Sequence, residues 1–318
     1  MTRATTPFSP RTTATEVLAG VDLTGRRMIV TGGASGLGAE TVRALARAGA
    51  HVTIATRNPA TAMAMTEEFP DTEVAALDLA DLGSVKAFCS AWDGPVDAIV
   101  ANAGVMMLPE RQVNAVGWEM QLATNYLGHF ALVTGLHGAL RSAERGRVVT
   151  VSSGANLLAG FDFDDPQYER RTYDPLTAYA QSKTADVLLA VGISRRWAAD
   201  GITANTSAPG VVHTNLARHL DAATLQALGA QDADGNRLTP SHFKTPEQGA
   251  ATSALLAASP LLDGVTGRYF ENNQEAEVIK GDPGILAGGP EATVGLVADW
   301  SVDPAAADRL WEYAISVV

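Results

Sequence analysis

Tyr179 and Lys183 stand four residues apart in the segment YAQSK. On a helix, residues at this spacing lie on one face, so the phenol and the ammonium can share a site. A free phenol, with a pKa of about 10, exchanges protons poorly at neutral pH, and a neighbouring ammonium lowers that pKa. The pair therefore predicts acid–base chemistry, with a simple surface pair as the alternative.

Glycines are concentrated in a second segment, TGGASGLG at 31–38. Glycines allow a tight turn and a close backbone approach, and a helix N-terminus behind them offers free N–H groups to phosphate. The spacing is G-x-x-x-G-x-G rather than G-x-G-x-x-G, but the order strand, loop, helix favours a dinucleotide site over a plain turn. No Gly-Lys-Ser/Thr follows, which argues against a P-loop for nucleotide hydrolysis.

Three further polar side chains stand where a sheet could present them. Ser153 ends the apolar run RVVTVSS, and Asn102 follows the run VDAIVA. Parallel α/β sheets bind ligands at the carboxyl ends of their strands, so both residues are expected at one edge. Asn125 is an amide among apolar neighbours in TNYLGHF, where a capping or solvated amide is the alternative.

The elements that must position these residues alternate along the chain. The predicted strands are 26–31, 51–56, 72–77, 96–101, 147–153, 201–209 and 265–270, and the predicted helices lie near 39–48, 60–69, 81–92, 113–140 and 176–199. Such alternation builds a parallel sheet with helices on both faces and right-handed crossovers. The sequence therefore predicts an α/β, single-domain, doubly wound Rossmann-like fold with about seven strands.

The two ends of the chain lie outside this alternation. Residues 1–22 are Thr-rich and lack the apolar segment of a secretory signal, so we expect a flexible tail. Residues 23–318 are expected to form one domain. Within it, the polar 214–245 segment should face the substrate, and 300–318 should form a C-terminal helix.

Composition excludes several classes of function. The net charge of −12 opposes a sequence-independent nucleic-acid binder, which needs a basic surface. No apolar run is long enough to predict a membrane span. The single cysteine, Cys89, predicts a buried thiol and a cytoplasmic protein, and no His, Cys or carboxylate cluster has metal-ligand spacing. A homo-oligomer stays possible.

Together these segments resemble the short-chain dehydrogenase/reductase family. TGGASGLG is similar to its glycine loop, YAQSK to its Tyr-x-x-x-Lys, and ANAG to its Asn-Asn-Ala-Gly with Ala101 in place of the first Asn. The resemblance covers about 22–275 and is strongest to the retinol-dehydrogenase-like and protochlorophyllide-reductase-like branch. Ser153 and Tyr179 are 26 positions apart, and the extra segment 160–175 between them is expected to border the substrate pocket.

The resemblance implies an NAD(P)-dependent oxidoreductase that interconverts a carbonyl and an alcohol by hydride transfer. It assigns Tyr179 as the proton donor or acceptor and Lys183 as the group that lowers the tyrosine pKa and binds the nicotinamide ribose. Ser153 is expected to hydrogen-bond the substrate oxygen. Asn125 is expected to hold a water that links Lys183 to solvent.

The same resemblance implies a cofactor site. Its expected residues are Gly32, Ser35, Gly36, Leu37 and Gly38 at the pyrophosphate, Arg57 and Asn58 after the second strand, Asp78 and Leu79 at the adenine, Asn102, Ala103 and Gly104 at the adenosine ribose, Tyr179 and Lys183 at the nicotinamide ribose, and Pro209, Val212 and Thr214 at the nicotinamide.

NADP(H) is the expected cofactor, with NAD(H) possible. Thr56 is uncharged where NAD-binding folds place an acidic residue on the ribose hydroxyl, and Arg57 can pair with a 2′-phosphate. Against this, Ser35 stands where some NADP(H)-binding relatives carry a second basic residue, and the net charge is negative.

Substrate and alternatives remain open at this stage. Met106, Met107, Leu158 and Phe161 are candidate pocket residues, and their apolar character predicts a lipophilic or polycyclic carbonyl or alcohol. The competing functions are a catalytically silent cofactor-binding scaffold or redox sensor, and a sugar-nucleotide epimerase or dehydratase, whose usual Gly-x-x-Gly-x-x-Gly loop is absent. His129 is expected to be a packed helix histidine rather than a catalytic one.

Overall fold

An eight-stranded sheet forms the centre of the computed structural model, which describes residues 3–227 and 229–318. Its strands are β1 (Arg27–Thr31), β2 (His51–Thr56), β3 (Thr72–Ala76), β4 (Ala98–Ala101), β5 (Arg147–Val151), β6 (Thr203–Ala208), β7 (Tyr269–Glu271) and β8 (Gln274–Glu275). They lie in the order β3-β2-β1-β4-β5-β6-β7-β8, and all neighbours are parallel except β7 and β8. The predicted doubly wound α/β fold is confirmed.

The sheet has one strand more than the seven expected. After β7 the chain reverses through Asn272 and Asn273, whose φ angles are 55° and 64°. Asparagine tolerates this left-handed region better than most residues, and two such residues make the tight turn that suits an antiparallel hairpin. The added strand β8 is only two residues long, which is too short for a periodicity signal.

Helices cover both faces of the sheet. They are α1 (Ala14–Val17), α2 (Gly36–Arg47), α3 (Met63–Glu68), α4 (Leu82–Ala91), α5 (Met120–Leu122), α6 (Gly128–Gly135), α7 (His137–Ser142), α8 (Pro175–Arg196), α9 (Ala222–Ala227), α10 (Pro246–Gly249), α11 (Ala251–Ala258) and α12 (Pro304–Val317). Two short parallel strands, β9 (Glu277–Ile279) and β10 (Leu296–Ala298), form a separate sheet.

An apolar layer packs on each face of the sheet, and the central strands are therefore buried on both faces. Successive side chains of a strand point to opposite faces. Ile29 therefore packs with Leu127 and Leu188 in one layer, while Val30 packs with Leu45 and other residues in the second. This burial explains why the strands read as continuous apolar runs rather than as alternating ones.

The helix predicted near 113–140 is broken into pieces. Its first residues form a turn in which the Asn114 carboxamide oxygen accepts from the backbone N–H groups of Val116 and Trp118. Helical structure begins only at α5, where the buried Glu119 carboxylate caps the helix N-terminus. A π-helical segment, Ala123–Leu127, then separates α5 from α6. Asn125 lies in this π segment, so the break sets the position of a predicted site residue.

The N-terminal segment was expected to be a flexible tail, but residues 3–22 lie against the body. The Thr6 backbone N–H donates to the Gln274 side-chain oxygen at 3.0 Å. Ala14, Val17 and Leu18 are buried in the apolar layer that contains Val30. The apolar pattern spans a single helical turn, which is too short to stand out in the sequence.

The C-terminal helix α12 covers α8 and α6. Asp303 caps it, with Pro304 at its first position, so it begins four residues later than the predicted 300–318. The Trp311 ring packs edge-on against Phe130 with ring centroids 4.9 Å apart. The Tyr126 hydroxyl donates to the Leu310 carbonyl oxygen at 3.3 Å.

The Cys89 thiol is not activated as a nucleophile. Burial raises the pKa of the Cys89 thiol to about 11, so this partly buried thiol is protonated at neutral pH. Within residues 3–227 and 229–318, no helix is long and apolar enough to cross a membrane. The same residues contain no cluster of three or more potential metal ligands.

Candidate active site

The glycine loop joins β1 to the N-terminus of α2. Gly32 and Gly36 have φ angles of 66° and 55°, which glycine adopts without strain. At Gly38, a Cβ atom would lie 2.4 Å from the Gly32 carbonyl oxygen and 2.6 Å from the Asn102 side-chain nitrogen. Only glycine fits this close approach, and the first N–H groups of α2 are left facing the loop.

One cleft of about 490 Å³ runs over the carboxyl ends of the strands, from this loop to Tyr179. The predicted residues that line it are Gly32, Ser35, Gly36, Leu37, Gly38, Arg57, Asp78, Leu79, Asn102, Ala103, Gly104, Ser153, Tyr179, Lys183, Pro209, Val212 and Thr214. Asn58 does not line the cleft, because the chain turns away at Pro59 into a 3₁₀ turn. Its role as a cofactor residue therefore stays a prediction.

Tyr179, Ser153 and Lys183 meet at one end of the cleft. Tyr179 lies in α8 and Ser153 follows β5, and the Ser153 hydroxyl is close enough to the Tyr179 phenol to lower its pKa. Burial is the largest influence on the Tyr179 pKa and raises it, while Lys183 and Ser153 act to lower it. The net direction is upward, so Lys183 opposes the effect of burial without overcoming it.

Lys183 is held by two protein oxygens. Its ammonium donates to the Val151 carbonyl oxygen at 2.9 Å and to the Asp186 carboxylate at 2.8 Å. Burial is the largest influence and works to lower the Lys183 pKa, but the Asp186 charge, the Tyr179 phenol and the hydrogen bond to Asp186 together outweigh it, and the net direction is upward. Sequence reasoning missed Asp186. An acidic residue three positions after a helical lysine was the available signal.

Asn125 lies behind the cleft wall and is completely buried. Its side-chain oxygen accepts from the Val105 backbone N–H at 2.8 Å, and its side-chain nitrogen donates to the Val105 carbonyl and to the Ser182 hydroxyl. Asn125 therefore ties the loop after β4 to α8. The water that Asn125 was expected to hold next to Lys183 stays a prediction.

His129 extends this network to β1. Its Nδ1 lies 2.7 Å from the Asn125 carbonyl oxygen, and its Nε2 lies 2.9 Å from the Thr31 hydroxyl. The Thr31 oxygen also accepts from the backbone N–H groups of Asn102 and Ala103. Because Nδ1 must donate to the carbonyl, the neutral ring accepts the Thr31 hydroxyl hydrogen. Burial lowers the His129 pKa to about 4, in agreement with a neutral ring.

The substrate end of the cleft differs in part from the prediction. Met106 lines it, and the predicted 214–245 segment contributes a largely apolar set, which consists of Leu216, Arg218, Leu220, Leu225, Ala230 and Phe243. Leu158 and Phe161 do not line it, and Phe161 instead packs on Phe163 and Tyr313.

The extra segment 160–175 was expected to border the pocket, but it lies beside α5 and α12. The Gln167 side-chain oxygen accepts from the Glu119 backbone N–H at 2.7 Å, and its nitrogen donates to the Tyr313 hydroxyl at 2.6 Å. The expectation was wrong because C-terminal residues, far away in sequence, cover this segment.

Comparisons with known proteins agree with this architecture. The short chain dehydrogenase family model matches residues 26–224. A Streptomyces lividans protein named "Probable oxidoreductase" is 60% identical over 92% of this chain and 97% of its own length. Human retinol dehydrogenase 14 is 35% identical, with 80% of each chain covered, and human polyprenol dehydrogenase is 38% identical, with 79% of this chain and 78% of its own covered.

Solved structures show the same fold. An uncharacterized protein from Mycobacterium paratuberculosis superposes with a TM-score of 0.73 at 28% identity, covering 96% of this chain and 97% of its own. The NADP complex of Pseudomonas aeruginosa RhlG superposes with a TM-score of 0.61 at 25% identity, covering 79% of this chain and 95% of its own. The chain is therefore an oxidoreductase that belongs to the short-chain dehydrogenase/reductase family, in its retinol-dehydrogenase-like branch.

Proposed function

We propose that the protein interconverts a carbonyl compound and an alcohol with NADP(H) as preferred cofactor and Tyr179 as proton donor or acceptor. The observation that carries the proposal is the single cleft that leads from the glycine loop to Tyr179 and Ser153. Its residues fit a dinucleotide, because the loop turns tightly at Gly32 and Gly36, packs closely at Gly38, and is followed by the α2 N-terminus, which can bind phosphate. The bound nicotinamide supplies or accepts the hydride.

The protein's own groups hold and move the proton. In the proposed reduction, the Ser153 hydroxyl orients the substrate oxygen and the Tyr179 phenol delivers its proton to that oxygen. Lys183, fixed at Val151 and Asp186, keeps a positive charge next to the phenol and favours the phenolate that results. Ser153 and Tyr179 line the same cleft and lie close together, which supports their acting on one oxygen atom.

Arg57 supports the NADP(H) preference. Thr56 ends β2 and Arg57 follows it, exposed at the cleft wall where a 2′-phosphate would lie. A guanidinium can bind phosphate oxygens in two-pronged fashion. The NADP complex of the structurally similar Pseudomonas protein agrees with this choice.

A lipophilic substrate is the proposed class. Leucine, alanine and phenylalanine side chains from 214–245 line the far end of the cleft. Two relatives are named as dehydrogenases of retinol and polyprenol, both lipophilic alcohols.

A homo-oligomer and a cytoplasmic location stay predictions from the sequence.

Removal of the phenolic oxygen tests the proposed chemistry. In Tyr179→Phe, NADPH oxidation with a panel of lipophilic carbonyls should fall at least about 100-fold, the low end for one acid–base group. NADPH binding, followed by fluorescence titration, should stay close to that of wild type. Tyr168→Phe is the matched control, because the buried Tyr168 hydroxyl has no hydrogen-bond partner among the described residues.

Two results would contradict the proposal. Near-normal turnover in Tyr179→Phe would exclude the tyrosine as the proton donor. Wild-type protein that binds NADPH but reduces no carbonyl in the panel would instead favour the catalytically silent scaffold or redox sensor.

A further inference from the structure

We propose that Asp186 is a positioning residue that holds the Lys183 ammonium in a buried ion pair and thereby sets the pH at which Tyr179 exchanges its proton. This role rests on the proposed function, because it matters only if Tyr179 carries the reacting proton. Asp186 does not line the cleft and need not touch substrate or cofactor.

Helix geometry places the three ionisable groups on one face of α8. Tyr179, Lys183 and Asp186 occupy positions i, i+4 and i+7, which lie one above the other along a helix. The Lys183 and Asp186 side chains are only 7% and 4% exposed, and Nζ lies 2.8 Å from Oδ2. An ammonium has three donors, and Val151 and Asp186 use two of them. The ion pair therefore leaves one donor for groups at the cleft.

The Asp186 charge acts on Tyr179 as well as on Lys183. Water screens buried charges little, so a carboxylate near the phenol disfavours the phenolate. Asp186 accordingly works to raise the Tyr179 pKa while Lys183 works to lower it. Without the carboxylate charge, the Lys183 ammonium should lower the Tyr179 pKa without opposition from Asp186.

The other ionisable groups around the pair keep a constant charge at the relevant pH. Tyr126 from the π segment, His129 from α6 and Tyr269 from β7 face these residues. Burial raises the pKa of both tyrosines well above 10 and lowers that of His129 to about 4. All three are therefore neutral from about pH 5 up into the alkaline range in which Tyr179 titrates.

The charge of Asp186 itself depends on pH. Burial raises the pKa of its carboxyl to about 7, against the pull of Lys183. The carboxyl is thus ionised on the alkaline side, where a tyrosine titrates. Its influence on Tyr179 is therefore expected in the alkaline limb of the pH profile.

Asp186→Asn removes the charge and keeps an oxygen that accepts from Lys183. Reduction needs the protonated phenol, so its kcat/KM falls as the pH rises through the Tyr179 pKa. We expect the pH at which kcat/KM falls to be lower by roughly one unit in the variant, which is the lower end of the shifts caused by a neighbouring charge. The rising limb of alcohol oxidation should move down by the same amount.

Glu119→Gln is the matched control, because Glu119 is equally buried but is not among the charges that act on Tyr179. Both of its limbs should coincide with those of wild type. Asp186→Ser provides a second neutral variant if the asparagine protein does not fold, and its limbs should also move down.

The outcomes separate this inference from the proposed function. If Tyr179→Phe is inactive but the neutral Asp186 variants keep the wild-type limbs, the inference is wrong and the proposed function stands. If Tyr179→Phe stays active, the proposed function fails and the role of Asp186 fails with it. A limb that moves in Glu119→Gln as far as in Asp186→Asn would also overturn the inference, since any buried carboxylate would then have the same effect.

Discussion

At the residue scale, the proposed preference for NADP(H) depends on Arg57. It lies directly after the last residue of β2, at the cleft wall, in a protein whose net charge is −12. That overall charge repels a phosphate, but salt screens distant charges beyond about 8 Å. The local guanidinium and the α2 N-terminus therefore decide whether the anionic cofactor binds.

We expect Arg57→Ala to weaken NADPH binding selectively by about 10- to 150-fold, which corresponds to the roughly 1.5–3 kcal/mol of one charged hydrogen-bonding contact. NADH binding should change little, because NADH has no 2′-phosphate. Fluorescence titration of both reduced cofactors measures the difference. Arg309→Ala, at an exposed position on α12, should leave both affinities unchanged. Equal affinity of the wild type for the two cofactors would disprove the assignment.

At the scale of secondary-structure elements, His129 connects β1, the π segment and the backbone after β4. Its ring connects the end of β1 to the π segment between α5 and α6, through Thr31 and the Asn125 carbonyl. Thr31 in turn holds the backbone after β4. One neutral imidazole thus aligns the glycine loop with the helix that carries Asn125, and it can do so only while it is unprotonated.

Acid should destabilise the fold through His129. Its folded-state pKa of about 4 lies below the ordinary value of 6.5, so the unfolded chain takes up the proton first as the pH falls. The stability due to neutral His129 is complete above about pH 6.5 and is lost toward pH 4. Each pH unit in this window should cost about 1.4 kcal/mol of unfolding free energy.

Urea unfolding of wild type and His129→Gln at several pH values measures this contribution. The stability difference between them should shrink by about 3 kcal/mol from pH 7 to pH 4, because the other titrating groups contribute equally to both proteins. His51→Gln, at a more exposed histidine, is the matched substitution for comparison. A constant difference for His129→Gln would mean that the histidine is not buried in neutral form.

The whole molecule determines which substrates reach Tyr179. The sheet and α8 place the reacting groups at one end of the cleft, and the 214–245 segment contributes leucine, alanine and phenylalanine side chains to its lining, together with Thr214 and Arg218. The apolar ends of the chain cover surfaces that the central fold leaves open, with α1 on one layer and α12 on the other. The cleft itself is lined by segments between Thr31 and Phe243 that lie far apart in sequence.

We expect kcat/KM to rise along a series of carbonyl substrates of increasing apolar length until the cleft is full. Each buried methylene can contribute up to about 0.8 kcal/mol, or nearly fourfold in kcat/KM. Leu225→Ala should flatten this dependence, because Leu225 lines the cleft, whereas Leu261→Ala, at an exposed leucine outside it, should not. A preference for small charged ketoacids would refute the proposed substrate class.

Local patterns in the sequence determined the reacting groups and the fold class. The Tyr179–Lys183 spacing, the glycines at 32–38 and the strand–helix alternation all act over a few residues, so they can be read without knowledge of distant partners. The glycines and the Tyr179–Lys183 pair predicted a cofactor loop and reacting groups that the cleft connects. Most of the other predicted lining residues came from the family resemblance, and Asn58, Leu158 and Phe161 do not line the cleft.

Only the tertiary structure decided which side chains become buried and what they meet. Asp186 is close to Lys183 in sequence, but its effect on Tyr179 depends on the exclusion of water by surrounding elements. The 160–175 segment turns away from the pocket because it packs against α12, and residues 3–22 are ordered by β8 and the apolar layer. Burial and long-range contacts depend on the summed packing of remote segments, which no local periodicity encodes.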